Sequence, residues 1–230
     1  MKTCLVFGGN GAIGTAIADL YRSLEFSVWT SSRTDVDSKK QVIKVTGDVV
    51  VDAPILNQLP VLDVVVWAQG VNQNDSIMSF SSDGLKGVLE ANTVFVASTM
   101  HALVSSERVI RGSRMCVVSS IWQEIVRENK FSYSISKAAV GALVRSAAID
   151  LSGRGIYING VLPGVLDTPM TRSMLRPEQL SEIEQSTGFA RMVTPPEIAQ
   201  AVHFLCSESN NGITGQSIVV DLGFSNVKNL

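Results

Sequence analysis

Seven short runs rich in valine and isoleucine recur along this chain, at 4–8, 27–31, 42–45, 61–68, 114–119, 157–162 and 217–220. Several are apolar without alternation, Val64-Val65-Val66-Trp67 most clearly. A strand with one face in water alternates apolar and polar side chains, so an unbroken apolar run requires cover on both faces, as in a parallel sheet. The segments between the runs have helical spacing. Ile13, Ile17, Leu20 and Leu24 form one stripe, Phe95, Thr99 and Leu103 another, and 138–149 is small and apolar nearly all round. Strand alternating with helix predicts an α/β doubly wound parallel sheet of about seven strands with right-handed crossovers. In such a sheet ligands sit beyond the carboxyl ends of the strands, which is where function is expected.

A length of 230 residues fits one α/β domain, expected to run over 1–230. With 45% hydrophobic and 17% charged residues the chain is too apolar for disorder. The net charge is −2 and the basic residues are scattered, so no electrostatic footprint for nucleic acid is present. Cys4, Cys116 and Cys206 are odd in number and lie in apolar runs. They read as buried thiols of a reducing compartment, with no metal site expected. Four apolar residues before the first glycines are too few for a secretory signal. No apolar run approaches the roughly 18 residues of a membrane span. A cytoplasmic protein without membrane contact is the expectation.

The first run leads into Gly8-Gly9-Asn10-Gly11-Ala12-Ile13-Gly14 and then a helix. Glycines at 8, 11 and 14 permit a tight turn, close approach of a pyrophosphate, and close helix–strand packing, with helix N–H groups meeting the phosphates. An ordinary βα turn is the bland alternative. The position after the very first strand favours a dinucleotide. The second run ends at Ser31-Ser32-Arg33-Thr34, where an adenosine ribose would lie; no acidic residue stands there until Asp35, and Arg33 suits a 2′-phosphate. NADP(H) is therefore expected, with NAD(H) as the alternative. Asp48, next to Val49, either accepts from the adenine amino group or caps the following helix.

Tyr133-Ser134-Ile135-Ser136-Lys137 opens the long apolar helix, and the four-residue spacing puts Tyr133 and Lys137 on one face. Using a tyrosine as acid or base near neutrality needs a shift of about 3 pKa units, roughly 4 kcal/mol. An ammonium at about 4 Å in an effective dielectric of about 20 supplies about that much. Ser120 closes the fifth run, 13 positions before Tyr133, and can hold a carbonyl oxygen beside the phenol. Trp122 either lines the substrate site or is plain core. His101 reads as a packing or interface residue, and His203 with Cys206 lacks further metal ligands.

Over essentially its whole length the sequence resembles the compact, single-domain short-chain dehydrogenase/reductase family. Gly8 to Gly14 matches the family's first turn, Tyr133 and Lys137 its catalytic pair, Ser120 its serine, and Asn92 in Glu90-Ala91-Asn92-Thr93 its asparagine. The resemblance implies a Rossmann-type, three-layer α/β/α fold. It also implies that Asn92 anchors a water in a proton relay and that Lys137 bonds the nicotinamide ribose. Pro163, Gly164, Val165 and Thr168 resemble the segment wrapping the nicotinamide, with the Val165 backbone and Thr168 on its carboxamide. Ala12 stands at a common glycine, Asn10 where some members carry a basic residue, and Trp67-Ala68-Gln69-Gly70 in place of the usual Asn-Asn-Ala-Gly. The substrate lid is expected at 168–190, polar with Met170, Met174 and Leu175. The reaction implied is hydride transfer between a nicotinamide and a small carbonyl or secondary alcohol, in a homotetramer or else a dimer. A nucleotide-sensing protein on the same fold, or a dehydratase or epimerase of nucleotide sugars, is the rival reading.

Overall fold

The structure, a computed structural model, describes residues 1–32, 41–46 and 49–226. Its strands are β1 (Thr3–Phe7), β2 (Ser27–Ser32), β3 (Val42–Lys44), β4 (Val64–Trp67), β5 (Arg114–Val118), β6 (Tyr157–Pro163) and β7 (Ser217–Val220). They form one seven-stranded sheet in the order β3-β2-β1-β4-β5-β6-β7, and every pairing is parallel. The order reverses between β1 and β4, which leaves a crevice beyond their carboxyl ends. The helices are α1 (Ala12–Ser23), α2 (Val49–Leu56), α3 (Ser82–Leu89), α4 (Phe95–Ser105), α5 (Phe131–Ser152), α6 (Pro169–Met174), α7 (Pro177–Gln185) and α8 (Pro195–Cys206).

The unbroken apolar strands have the two-sided cover that their composition demands. Leu5, Phe7, Val65, Trp67, Met115 and Val117 pack against Leu56, Phe95, Met100, Leu103, Val140 and Val144 of α2, α4 and α5. The alternate residues Cys4, Val6, Val64, Val66, Cys116 and Val118 meet Ile17, Ala18, Tyr21, Ile198, Val202 and Leu205 of α1 and α8. Each fully buried side chain of this kind contributes roughly 2 kcal/mol. All three cysteines lie in this second layer as buried free thiols. Burial pushes the Cys4 thiol well above its ordinary value, and Cys116 is raised first by Cys206 beside it and then by burial.

The fourth strand is shorter than the apolar run suggests. Val61 is exposed, Leu62 turns into the core, and the Asp63 carboxylate accepts from the Thr3 N–H at 2.7 Å. The stripe of α1 is also rotated: Gly14, Ile17, Ala18 and Tyr21 are buried, whereas Leu24 is exposed. Tyr21 fills the slot with its ring edge-on to Phe26 and His203.

From Ser82 to Ser105 the chain runs as one helix of 24 residues, interrupted only by a wide turn at Glu90–Val94 where the Phe95 N–H bonds the Glu90 carbonyl. By length and composition this helix is long and apolar enough to cross a membrane, which corrects the expectation that no segment is. Here it lies on the sheet through Val88, Phe95, Val96 and Leu103, and its Thr99 hydroxyl accepts from the Trp67 indole at 2.9 Å.

Candidate active site

Three glycines at the end of β1 do three different jobs. Gly8 has φ +77°, and a Cβ there would lie 2.7 Å from the Gln69 nitrogen, so both backbone conformation and the approach of the β4 exit require glycine. At Gly14 a Cβ would stand 2.1 Å from the Gly8 carbonyl oxygen, so the first turn of α1 can lie on the loop only without a side chain. Gly11 is different: its Cβ would meet nothing closer than the Gly8 oxygen at 3.5 Å. The space above Gly11 is open to a ligand. Gly9, to which the sequence assigns no role, is required because a Cβ would collide with Thr30 at 2.5 Å.

Around this turn lies a cleft of about 660 Å³, within the usual range for a small-molecule site. Gly8, Asn10 and Gly11 form its floor, Ser31 and Ser32 its β2 side, and Ala68, Gln69 and Gly70 its β4 side. The Gly8 N–H donates to Ser31 Oγ at 3.2 Å, and Asn10 Nδ2 donates to Ser32 Oγ at 3.0 Å. The first turn of α1, where Ala12 and Ile13 lie, carries no acidic side chain, so its N–H groups offer an uncancelled positive end to an anion. Glu90, Ala91 and Phe95 close the far wall, a contribution that strand-end reasoning overlooks because it comes from the wide turn inside a helix. Both side-chain amide atoms of Gln69 are buried without a protein partner. A dinucleotide fits this set: open glycine, helix terminus, hydroxyls at the end of β2, and unpartnered amide groups in the wall. Arg33 and Asp48 lie outside the described residues. Val49 opens α2.

The next group sits where β4, β5 and α5 converge. Ser120 follows β5, its hydroxyl accepts from the Trp122 N–H at 3.3 Å, and it lies near enough to the Tyr133 phenol to oppose the rise of its pKa. Lys137, one turn beyond Tyr133 on α5, is buried with its ammonium 5.5 Å from the Tyr133 ring centroid. A Cβ at Gly70 would lie 3.5 Å from that ammonium and 3.1 Å from Asn92 Oδ1, so Lys137 reaches back to the β4 side of the cleft. Burial lowers Lys137 from 10.5 to about 8, which still leaves it charged at neutrality. Burial likewise raises Tyr133 above its ordinary value, and Ser120 draws it only partly back. Spacing predicts that Lys137 pulls the phenol down. In this structure burial raises the phenol and the opposing effect comes from Ser120, so the phenol is protonated at neutral pH.

Asn92 occupies the wide turn and is buried. Its Oδ1 accepts from the Val71 N–H at 2.8 Å, and its Nδ2 donates to the Val71 carbonyl at 2.9 Å and to Ser136 Oγ at 3.0 Å. The side chain therefore ties the β4 exit to α5, one residue from Lys137. Pro163 ends β6, the Gly164 N–H bonds the Val220 carbonyl, and the glycine is demanded by Asp221, whose Cβ would be 2.8 Å away. The Val165 carbonyl accepts from the Val193 N–H at 3.3 Å. Thr168 caps α6 with its hydroxyl, accepting from the Thr171 N–H at 3.1 Å, a local duty that its sequence setting before Pro169 also announces. Trp122 is only half-buried, with Phe224 edge-on at 6.4 Å, so it is not plain core. His101 borders a groove between α4 and α5. Among the described residues no group of three or more His, Cys, Asp or Glu is placed to hold a metal ion.

A family model described as enoyl-(acyl carrier protein) reductase matches residues 10–225. The chain is similar to glucose 1-dehydrogenase of Gluconobacter oxydans, 33% identical over 167 residues, which span 71% of this chain and 62% of that protein. It is also similar to the 3-oxoacyl-[acyl-carrier-protein] reductase FabG of Vibrio cholerae, 25% identical over 236 residues and 96% of each chain. A solved short chain dehydrogenase family protein from Francisella tularensis superposes with a TM-score of 0.87 at 25% identity, covering 98% of this chain and 99% of the other.

Proposed function

We propose, from the premise that this chain belongs to the short-chain dehydrogenase/reductase family of oxidoreductases acting on CH–OH and C=O groups, that it interconverts a carbonyl and a secondary alcohol using NADP(H). The single observation that carries the reading is the convergence of Ser120, Tyr133 and Lys137 beside the cleft of the glycine turn. A sensor needs the cleft but not the three groups. A nucleotide-sugar dehydratase or epimerase needs a larger substrate-binding region than α6, α7 and α8 provide.

The nicotinamide supplies or takes up the hydride when bound. Gly11, the N-terminus of α1, Ala68 to Gly70 and the β6 exit from Pro163 to Thr168 hold the dinucleotide in this reading. Tyr133, protonated at neutral pH and raised further by burial, gives its proton to the carbonyl oxygen during reduction. Ser120 donates a hydrogen bond to the same oxygen and fixes its place. Lys137 keeps a positive charge next to the phenol as the proton leaves and bonds the nicotinamide ribose. Asn92 positions Lys137 by holding Val71 and Ser136, and anchors the water of the relay.

NADP(H) preference rests on Ser31 and Ser32 at the end of β2, on Arg33 just after them, and on the lack of an acidic residue before Asp35. Asn10, bonded to Ser32, supports the hydroxyl side of that pocket without adding charge. The segment 168–190 acts as a lid over the substrate. Asp167 takes a two-pronged ion pair from Arg172 at 2.6 and 2.8 Å, and Glu197 takes one from Arg191 at 2.7 and 3.0 Å, which anchors the segment at both ends. The protein is a homotetramer, or else a dimer, built on α4 and α5, in the cytoplasm. The test is turnover of a panel of ketones and aldehydes with NADPH, followed by the absorbance of the reduced nicotinamide. No consumption with any carbonyl would retire the enzyme reading in favour of the sensor.

A further inference from the structure

The loop between β5 and α5 carries two cations that the hydride-transfer chemistry does not use. Lys130 has its ammonium 5.5 Å from the Tyr133 ring centroid, as close to the ring as Lys137 is. It is half-buried and held by Asn72 Oδ1 and Asn74 Oδ1, each at 2.7 Å. Both partners are neutral, so the charge is fixed in place without being cancelled, and the third N–H of the ammonium is left over. Arg127 places its guanidinium 5.7 Å from the Trp122 ring centroid, and the backbone N–H of the same Trp122 is bonded to the Ser120 hydroxyl. The two cations are near enough that Arg127 repels a proton from Lys130, which burial already lowers. Among the described residues, neither has a carboxylate oxygen within 4 Å. Of the nearby carboxylates, Asp75 is buried against the Ser132 N–H and hydroxyl, Glu124 accepts from Gln123 Nε2 at 2.9 Å, and Glu128, between the two cations in the chain, is exposed and makes no ion pair with either.

Holding two like charges together with no counter-charge is unfavourable, and an anion bridging them offsets the repulsion. The planar fork of Arg127 matches a carboxylate or phosphate, and the tethered ammonium needs little further ordering to meet one. Their position beside Ser120 and Tyr133 puts such an anion on the same molecule as the reacting carbonyl. We propose that Arg127 and Lys130 form an anion subsite next to the catalytic group, and that the substrate is a carbonyl compound bearing a carboxylate or phosphate within a few bonds of the reacting carbon. This rests on the reading given under Proposed function.

The test measures binding separately from turnover. Titration calorimetry of the full chain equilibrated with NADP⁺ compares acetoacetate with its ethyl ester, and dihydroxyacetone phosphate with dihydroxyacetone. The charged member of at least one pair should bind about tenfold or more tightly, the worth of one charge-assisted hydrogen bond, and the pair that does so tells carboxylate from phosphate. In Lys130→Met with Arg127→Gln that ratio should fall to about one, and in Lys130→Arg it should persist. Because the readout is a ratio within each protein, a general loss of folding or cofactor affinity cancels from it. A wild-type ratio near one for both pairs overturns the subsite, as does a ratio that survives in the double variant. Anion preference without hydride transfer would remove the oxidoreductase reading and keep the subsite; turnover without anion preference does the reverse.

Discussion

Lys137 is a charge buried where the fold has no need of one, and replacing it should make the folded chain more stable. Its pKa stands at about 8 in the folded protein against 10.5 for the free side chain, and the cause is burial. A lysine depressed by folding binds fewer protons folded than unfolded, so stability rises with pH between about 8 and 10.5. Below pH 8 both states carry the proton and the whole penalty is present; above 10.5 both have lost it and the penalty is gone. At about 1.4 kcal/mol per unit the penalty is about 3 kcal/mol, and the side chain is 4% exposed, so solvent screening removes little of it. Lys137→Met keeps the length of the stem and drops the charge. Urea unfolding followed by tryptophan fluorescence, at fixed protein concentration, should find this variant about 3 kcal/mol more stable than wild type at pH 7, with the gap closing by pH 10.5. Tyr133, also raised by burial above its ordinary value, is present in both proteins and drops out of the difference. A gap that does not change with pH, or a variant less stable than wild type at pH 7, would refute the reasoning.

The glycines of the first turn separate folding from binding. Gly14→Ala, which forces a Cβ to 2.1 Å from a backbone oxygen, should cost about 3 kcal/mol or more in a thermal unfolding scan, whereas Gly11→Ala should unfold like wild type yet bind NADPH at least tenfold more weakly in calorimetry. Wild type should bind NADPH about ten to a hundredfold more tightly than NADH, and Ser32→Asp with Arg33→Ala should reverse that order; equal or tighter NADH binding by wild type contradicts it. Light scattering at micromolar concentration should give a tetramer, and Ala147→Arg, in the groove of Ala97, His101 and Leu143 between α4 and α5, should reduce the mass; a monomeric wild type overturns the assembly.

The sheet was legible because its strands have to be apolar on both faces, and runs such as Val64 to Trp67 leave no other fold open. The ends were less so. Val61 and Asp63 read as strand, but Asp63 is spent on the Thr3 N–H and the pairing starts at Val64. Glycine spacing revealed the turn at Gly8 but not the need at Gly9, which depends on Thr30 of the neighbouring strand. Tyr133, Ser120 and Lys137 were legible from helix period and strand-end position. The raising of the phenol by burial was not, since it depends on three-dimensional packing. Nor was the convergence of Cys4, Cys116 and Cys206, which lie on β1, β5 and α8, far apart in the chain. The cations Arg127 and Lys130 look like loop solubility until Asn72 and Asn74 are seen holding one of them against Tyr133.

The most direct test of the account follows the proton and the hydride together in Tyr133→Phe. With NADPH deuterated at the transferring position and a carbonyl that wild type reduces, the alcohol from wild type should carry deuterium on its carbinol carbon by mass spectrometry. Tyr133→Phe loses only the phenolic hydroxyl, so it should bind NADPH within a few-fold of wild type and lose nearly all turnover, roughly the 10²- to 10⁴-fold worth of a general acid. An unlabelled alcohol from wild type, or turnover in Tyr133→Phe within tenfold of wild type, would contradict the assignment of Tyr133 as the proton donor in a hydride transfer.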